Sequence, residues 1–499
     1  MITWGFSAMS HDAALAVMQD DELVYASHSE RYSRVKNDKH LHSQQITEAL
    51  EYGQPDKVYY YETPWLKKYR QFKAGQYNLL MKESPRAHLA QLGVRAKVKT
   101  TRHHNSHAAY GYYTSKFDKA DVLVVDSIGE FDTTTWWQGS GDTLTKKASQ
   151  IYPHSLGLWY SAMTQRIGLK PQEHEYILMG MAATGNPGRF YQLILDDFFA
   201  QIPDHKNFNV VFKKDLHRGC LDWRPDLNTV HDYADIAAAV QRIYNDVLFG
   251  LIDYMSAHSS NRNLVLVGGC ALNCAANLEA YHVYDHVWVP PNPGDAGSSV
   301  GAILAHNPRH IDFKTAFLGT DIPGEYPIDD IINDLMTTGI SAVASGRAEF
   351  GPRALGNRSI LADPRIYDMQ ERVNTLKGRE SFRPFAPAIL AEHADQLFFL
   401  PSIKTDEFNY MQFAVQAAAP NSFPAVTHLD GTCRVQTVSR GGLYQHRGFR
   451  RLLEKWHGVS GCPMLLNTSL NVKGEPLVNS RADAERWSQL NNFPVRMPK

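Results

Sequence analysis

Leu264–Gly269 reads LVLVGG, four apolar residues closing on two glycines. A short run that is apolar at every position and ends in turn residues fits a strand buried on both faces. The next stretch, ALNCAANLEAYH (271–282), is predicted helical. VWVPP (287–291) and NPGDAGSSVGAILA (292–305) then repeat the order strand, loop, helix. Strands alternating with helices predict an α/β domain built on a parallel or mixed sheet.

Working outward, the same strand logic appears twice upstream. ITWGFS (2–7), the turn Ser10-His11-Asp12, AALAVM (13–18), the turn QDDE and LVYASH (23–28) read as successive hairpin strands. VLVVDS (122–127), a turn containing Gly129, and TTTWWQG (133–139) read the same way. His11 and Asp126 both fall where a strand meets a turn, which suggests two similar halves of the sugar-kinase and actin type. Downstream, HNPRHIDFKTAFLGTDIPGEYP (306–327) has three prolines and little periodicity, so a domain boundary is expected there. The domains are placed at 1–320 and 321–499, both α/β.

The chain of 499 residues is long enough for two large domains, at roughly 150 residues per ordinary one. Hydrophobic residues at 43% against charged residues at 21% mark a folded chain, not a disordered one. Lys plus Arg (51) balances Asp plus Glu (52), so net charge supplies no general attraction to nucleic acid or membrane. No apolar run approaches the roughly 20 residues that span a bilayer. Five cysteines, never spaced C-x-x-C, argue against a disulfide framework and a structural zinc site. With no basic-then-apolar leader at the start, a cytoplasmic protein is expected. One segment departs from neutrality: 63–102 carries ten basic residues against Glu83 alone, with Trp65, Tyr69, Phe72 and Tyr77 among them. A solvated helical face explains this. So does a binding surface for an anionic, planar acceptor such as a nucleotide or DNA.

His103 and His107 in HHNSH stand one helical turn apart on a common face. Asp126 follows a buried strand, and Asp295 sits in a glycine-rich loop. Acids at such junctions converge above the carboxyl edge of an α/β sheet. The four groups would make a near-neutral N2O2 site for a divalent ion. The plainer alternative is that Asp126 caps a turn and Asp295 caps the helix after it. Gly268-Gly269, and the cluster from Gly294 to Gly301, each precede a predicted helix and could admit a phosphate, or could simply allow tight packing.

In the second domain SGRAEFGPRALGNRSILADPR (345–365) and KGRESFRPFAP (377–387) hold Arg347, Arg353, Arg358, Arg365, Lys377, Arg379 and Arg383. Arginine at this density beside Gly and Pro suits bidentate recognition of phosphate. HLDGTCRVQ (428–436) and LLNTSLNVKGEP (465–476) have the same character. Arg–Asp pairs that hold loops together are the alternative.

These motifs, with HDAALAV (11–17), EHEYILMGMAATG (173–185) and GGCALNCAAN (268–277), occur in one order along the chain. Together they resemble the NodU/CmcH family of O-carbamoyltransferases over nearly its whole length. The resemblance implies an N-terminal duplicated actin/hexokinase-like (ASKHA) domain and a C-terminal YrdC-like domain. It implies that carbamoyl phosphate and ATP, the latter with Mg²⁺, form carbamoyl-adenylate, and that an acceptor hydroxyl then takes the carbamoyl group as AMP leaves. His103, His107, Asp126 and Asp295 are implied as ligands of ferrous iron or another divalent metal. His11 is implied as a base near the acceptor hydroxyl, and Gly268, Gly269 and Asn273 as adenylate contacts. Lys377, Arg383, Arg434 and Ser469 are implied as binders of carbamoyl phosphate and ATP, with Arg347, Arg353 and Asn467 beside them. The resemblance implies an antibiotic or sugar hydroxyl as acceptor, and the basic, aromatic segment 63–102 adds the expectation of a hydroxymethylated pyrimidine as nucleotide or in DNA. Ile177 stands where the family usually carries Lys, which removes one charged nucleotide contact. The competing expectation is a kinase-like or non-catalytic nucleotide-binding protein of the same fold.

Overall fold

The computed structural model describes residues 1–77, 84–380, 383–401, 405–441 and 447–499. Lys82 and Glu83 of the basic segment, and Ser381 and Phe382 of the RESFRPFAP motif, lie outside the described residues. The chain forms mixed α/β structure in two compact units, Val58–His310 and a discontinuous one made of Met1–Lys57 with Ile311–Lys499. Among the described residues no helix is long and apolar enough to cross a membrane. The five cysteines are free.

The continuous unit is built on a five-stranded sheet in the order Thr143–Ile151, Asp132–Ser140, Lys119–Gly129, Asn263–Val267, His286–Trp288. The first three strands form an antiparallel meander, and the last two add in parallel. Leu264–Val267 is buried on both faces, as the apolar run required. The His103–Thr114 helix packs across this sheet and against the Ser298–His306 helix. Small residues allow that approach: a Cβ on Gly301 would stand 1.9 Å from the Ser106 carbonyl oxygen, and one on Gly297 2.5 Å from the Tyr110 ring. A parallel strand pair, Lys57–Tyr60 with Val98–Thr100, leads into the first of these helices.

The stretch 271–282 is not an α-helix. It forms two 3₁₀ turns, Gly269–Leu272 and Asn277–His282. The Asn273 side chain accepts from the Ala276 N–H at 3.2 Å, and the Asn277 side chain donates to the Ala271 carbonyl at 2.8 Å. Such local bonds compete with the helical ladder.

In the discontinuous unit the strands Ile2–Ser7, Ala14–Gln19 and Glu22–His28 make a second antiparallel meander, so the strand pattern read twice in the sequence occurs twice in the structure. The unit's largest sheet has six strands: Gln436–Val438, Ala386–Leu390, Met464–Ser469, Arg358–Ala362, Ile340–Ala344, Val495–Arg496. Arginines tie its segments together through backbone carbonyls. Arg347 donates to the carbonyls of Val24, Leu318 and Gly319. Arg31 reaches the Gly351 carbonyl, and Arg34 those of Pro476 and Leu477. Arg358, wholly buried, donates at 2.9–3.0 Å to the carbonyls of Thr320, Ser345, Gly346, Asn357 and Asn479. Arg365 makes the expected kind of loop-holding pair, bidentate with Asp363.

Candidate functional site

The parallel pairing of Tyr60 with Thr100 sets the geometry of the first site. It delivers the chain to His103, the first residue of its helix. One turn on, His107 faces the same way: the two Nε2 atoms are 3.1 Å apart. Asp126, on the strand Lys119–Gly129 where its pairing with the next strand is interrupted, brings Oδ2 to 3.2 Å from His103 Nε2 and 3.9 Å from His107 Nε2. Asp295, in the loop before the Ser298–His306 helix, brings Oδ1 to 3.3 Å from both. His104, between the two, points elsewhere, to the Thr135 hydroxyl at 2.9 Å, and burial holds its imidazole down at about 3.

Donor atoms around a tetrahedral cation at bonds of about 2.0–2.1 Å lie about 3.3 Å apart. Four of the distances among the side chains, at 3.1–3.3 Å, meet that spacing, all four donor atoms lie within 4.8 Å of one another, and they offer two imidazole nitrogens and two carboxylate oxygens in a buried place. The residues therefore fit a divalent ion, with a donor set that suits several transition metals. Burial opposes charge here, but the groups answer one another. Asp295, Asp126 and Glu62 overcome desolvation and hold the His103 imidazole well above its ordinary range. Against the same burial, the His103 hydrogen bond brings the Asp126 carboxyl down to about 2. Asp126 also does structural duty, since its Oδ1 accepts from the Gly269 N–H at 3.2 Å. The Asp295 side chain does not cap the helix after it, whose N-cap is Gly297 with no side-chain bond.

Gly268 has φ +94°, and a Cβ there would stand 2.2 Å from the Val125 carbonyl oxygen. The glycine is required for the loop to pass over the strand carrying Asp126. Asn273, close by in sequence, exchanges two 3.1 Å bonds with Gln241, which also accepts from Tyr160 at 2.7 Å. Ile177 is buried in the short Glu175–Met181 helix.

Sequence reasoning missed Glu62. This buried acid follows the strand Lys57–Tyr60; its Oε1 accepts from Lys67 Nζ at 2.7 Å and Tyr60 at 3.1 Å, and its Oε2 lies 3.8 Å from His103 Nδ1. A lone acid between an apolar strand and a basic run was the available signal. Lys67 and Arg70, counted as surface charge in the sequence, are buried, and Arg70 donates to Gln76. The outer face of the same Pro64–Lys73 helix keeps its aromatics exposed: Trp65 (65%), Tyr69 (47%) and Phe72 (59%), with Tyr77 (60%) just beyond.

In the discontinuous unit, Lys377 ends the Met369–Leu376 helix and buries its ammonium against the backbone and hydroxyl oxygens of Ser469 and both oxygens of Asn471. Desolvation, then Arg379, Arg383 and Lys36, push it well below its ordinary range. Ser469 and Asn467 share one side of the strand Met464–Ser469, and Asn467 bonds the Gln436 side chain at 2.7 Å. Arg434 stands two residues before Gln436 on the neighbouring segment. Asn467 and Ser469 thus lie on the six-stranded sheet, Lys377 reaches Ser469 from a helix end, Arg383 is in the loop before the strand Ala386–Leu390, and Arg434 ends a strand of a separate two-stranded sheet, Ala414–Gln416 with Thr432–Arg434. Arg353 lies, half-buried, in the loop whose amides at Leu355, Asn357 and Arg358 donate to Glu349 Oε1. Arg347 is committed to the carbonyls named above. His11, half-exposed in its turn, sits 3.1 Å from the Asp12 carboxylate through Nδ1.

The carbamoyltransferase N-terminus family model matches residues 67–304, and the carbamoyltransferase C-terminus model matches 332–495. An uncharacterized Synechocystis protein, sll1178, is 33% identical over 97% of this chain and 93% of its own. Nodulation protein NolNO of Sinorhizobium fredii is 30% identical over 95% of this chain and 76% of its own. Nodulation protein U of the same species is 36% identical over 46% of this chain and 43% of its own. Among solved structures, component A of the Acidaminococcus fermentans (R)-2-hydroxyglutaryl-CoA dehydratase aligns with 61% of this chain and 96% of that one, at 13% identity and a TM-score of 0.35, too slight a likeness to carry an argument. With both family models matched in order and a relative aligned almost end to end, this chain belongs to the carbamoyltransferase enzymes.

Proposed function

We propose that the protein is an O-carbamoyltransferase that works in two steps. Water cleaves carbamoyl phosphate to carbamate and phosphate, and the carbamate oxygen then attacks the α-phosphorus of ATP, giving carbamoyl-adenylate and releasing pyrophosphate, in a YrdC-like domain at 321–499. The carbamoyl group then passes to an acceptor hydroxyl in an ASKHA-type domain at 1–320, and AMP leaves. The observation that carries this reading is the Lys377 ammonium, buried with Arg379, Arg383 and Lys36 bearing on it. Such a place favours an anion, because a phosphate would offset the mutual repulsion of the cations. Ser469, Asn467, Arg434 and Arg353 would orient the phosphates. Arg347, if it serves there too, would have to give up bonds that hold the meander.

In the transfer step Gly268 and Gly269 admit the adenylate against the backbone, and Asn273 is held in place for it by Gln241. His11, oriented by Asp12, takes the proton of the acceptor hydroxyl, a role worth on the order of 10²–10⁴ in rate. A divalent ion on His103, His107, Asp126 and Asp295, ferrous iron by family resemblance, would supply positive charge for phosphate or carbonyl oxygen. Incubation with carbamoyl phosphate and labelled ATP should yield AMP and pyrophosphate. Hydrogen bonds to charged groups contribute about 1.5–3 kcal/mol, so Arg383→Ala should lower that yield by roughly one to two decades. Equal yield from wild type and variant would sink the reading.

For the acceptor, the exposed Trp65, Tyr69, Phe72 and Tyr77 beside Lys68 and Lys73 favour a planar, anionic molecule, a hydroxymethylated pyrimidine as nucleotide or in DNA. Base stacking on an aromatic contributes about 1–3 kcal/mol. Trp65→Ala with Tyr69→Ala should therefore raise KM for such an acceptor by roughly tenfold or more while kcat holds. A DNA acceptor should also bind more weakly as salt rises, and affinity indifferent to salt would exclude it.

A further inference from the structure

We propose that Glu62 is a positioning residue of the metal centre: it receives the Nδ1 proton of His103, so that Nε2 is presented to the ion, while Lys67 and Tyr60 aim the carboxylate. The inference rests on reading His103, His107, Asp126 and Asp295 as metal ligands.

The sheet puts the two residues side by side. Tyr60 pairs with Thr100, and the Thr101 N–H continues the ladder to the Tyr60 carbonyl at 3.0 Å. The Thr63 hydroxyl then donates to the Thr101 carbonyl at 2.9 Å, so the chains stay in step past the strand ends. Glu62 and His103 follow directly. Two close neighbours confine the His103 ring. Tyr61 packs on it with centroids 5.0 Å apart, and a Cβ on Gly129 would come within 2.4 Å of its Cδ2. A ring held this way has one edge toward the ligand cluster and the other toward Glu62.

On the cluster edge, Nε2 meets His107, Asp126 and Asp295 at 3.1–3.3 Å. On the opposite edge, Nδ1 is buried and without a hydrogen-bond partner, with Glu62 Oε2 3.8 Å away. A movement of about 1 Å makes that contact a hydrogen bond. Glu62 cannot swing off elsewhere, because its other oxygen is held by Lys67 and Tyr60. Lys67 Nζ and the Tyr60 hydroxyl both donate to Oε1, an arrangement that suits an ionised, accepting carboxylate. A carboxylate behind a ligating imidazole fixes its orientation and strengthens it as a donor to the ion. The arrangement also gives Lys67 a purpose that its place in a basic run conceals.

The test is cobalt(II) binding by the whole protein, stripped with chelator and then titrated. Wild type should bind about one ion, and Glu62→Gln should bind about ten- to a hundredfold more weakly, with an altered visible spectrum. Because Glu62→Gln strands the buried Lys67 ammonium, the double variant Glu62→Gln with Lys67→Met is measured beside it. Weakened binding by the folded double variant supports the proposal, and wild-type affinity in either folded variant overturns it. Wild type alone gives a further readout. In the zinc-loaded protein the His103 Nδ1 proton should resonate far downfield, as in a carboxylate-bonded imidazole. A resonance at the position of an unbonded ring N–H overturns the proposal without any variant. Failure of wild type to bind cobalt or zinc would instead remove the metal reading itself, and this inference with it.

Discussion

With His103 and His107 both changed to alanine, bound divalent metal is expected to fall from about one ion per chain to none, and carbamoyl transfer by about three decades or more. The geometry makes the two imidazoles indispensable. Their Nε2 atoms lie 3.1 Å apart, and each faces the Asp295 carboxylate at 3.3 Å. Removing both leaves Asp126 and Asp295 alone, two oxygens where four donors converged. The consequence should be selective. Lys377 and Arg383 belong to the other compact unit, so release of pyrophosphate from ATP and carbamoyl phosphate should survive in this variant. Arg383→Ala should show the reverse, with metal retained and pyrophosphate release impaired. Metal analysis after gel filtration, circular dichroism as a check of folding, and separate assays of the two steps decide the matter. Full metal content in the double variant would refute the site.

The second large effect concerns a residue with no chemistry. Gly301→Ala should destabilise the protein by at least about 1–3 kcal/mol and weaken metal binding at the same time. A Cβ at 301 would lie 1.9 Å from the Ser106 carbonyl oxygen, which is backbone and cannot move aside alone. Ser106 sits between His103 and His107, and Asp295 precedes the helix that carries Gly301. Forcing these helices apart therefore spreads the ligand set. Gly458→Ala is the opposing control: that glycine is exposed within the Arg447–Ser460 helix, and its Cβ would meet nothing within 4 Å. It should stabilise by roughly 0.5–1 kcal/mol. Thermal melts of the two variants should move in opposite directions, and cobalt binding should weaken in Gly301→Ala alone. Equal behaviour would show that the helix contact is not what holds the ligands.

Residues that act through spacing along one element, or at a strand end, were readable before folding. His103 and His107 share a face because a helix repeats every 3.6 residues, and Asp126 and Asp295 stand at junctions that turn signals mark. Glu62 was hidden because its role depends on a strand pairing that spans some forty positions of sequence, Tyr60 with Thr100. The 271–282 stretch looked helical by composition, but Asn273 and Asn277 turn their amides onto the backbone and stop the ladder after single turns. Charge counting failed most plainly for arginine and lysine. Lys67 and Arg70 face inward, Arg347 and Arg358 hold carbonyls, and Lys377 gathers cations around it, yet all five look alike on a count of positive charges.

Chain order within the discontinuous unit bears on how the protein is made. Residues 58–310 can collapse as they leave the ribosome, since each of their partners within that unit is already synthesised or soon will be. The opening meander is in a different position. Arg31, Arg34 and the Val24 carbonyl wait for Gly351, Pro476, Leu477 and Arg347, residues translated hundreds of codons later. At roughly 5–20 residues per second, tens of seconds pass before those anchors emerge. Throughout that interval the meander stands without these late anchors, which marks it as the segment on which a nascent-chain chaperone would act.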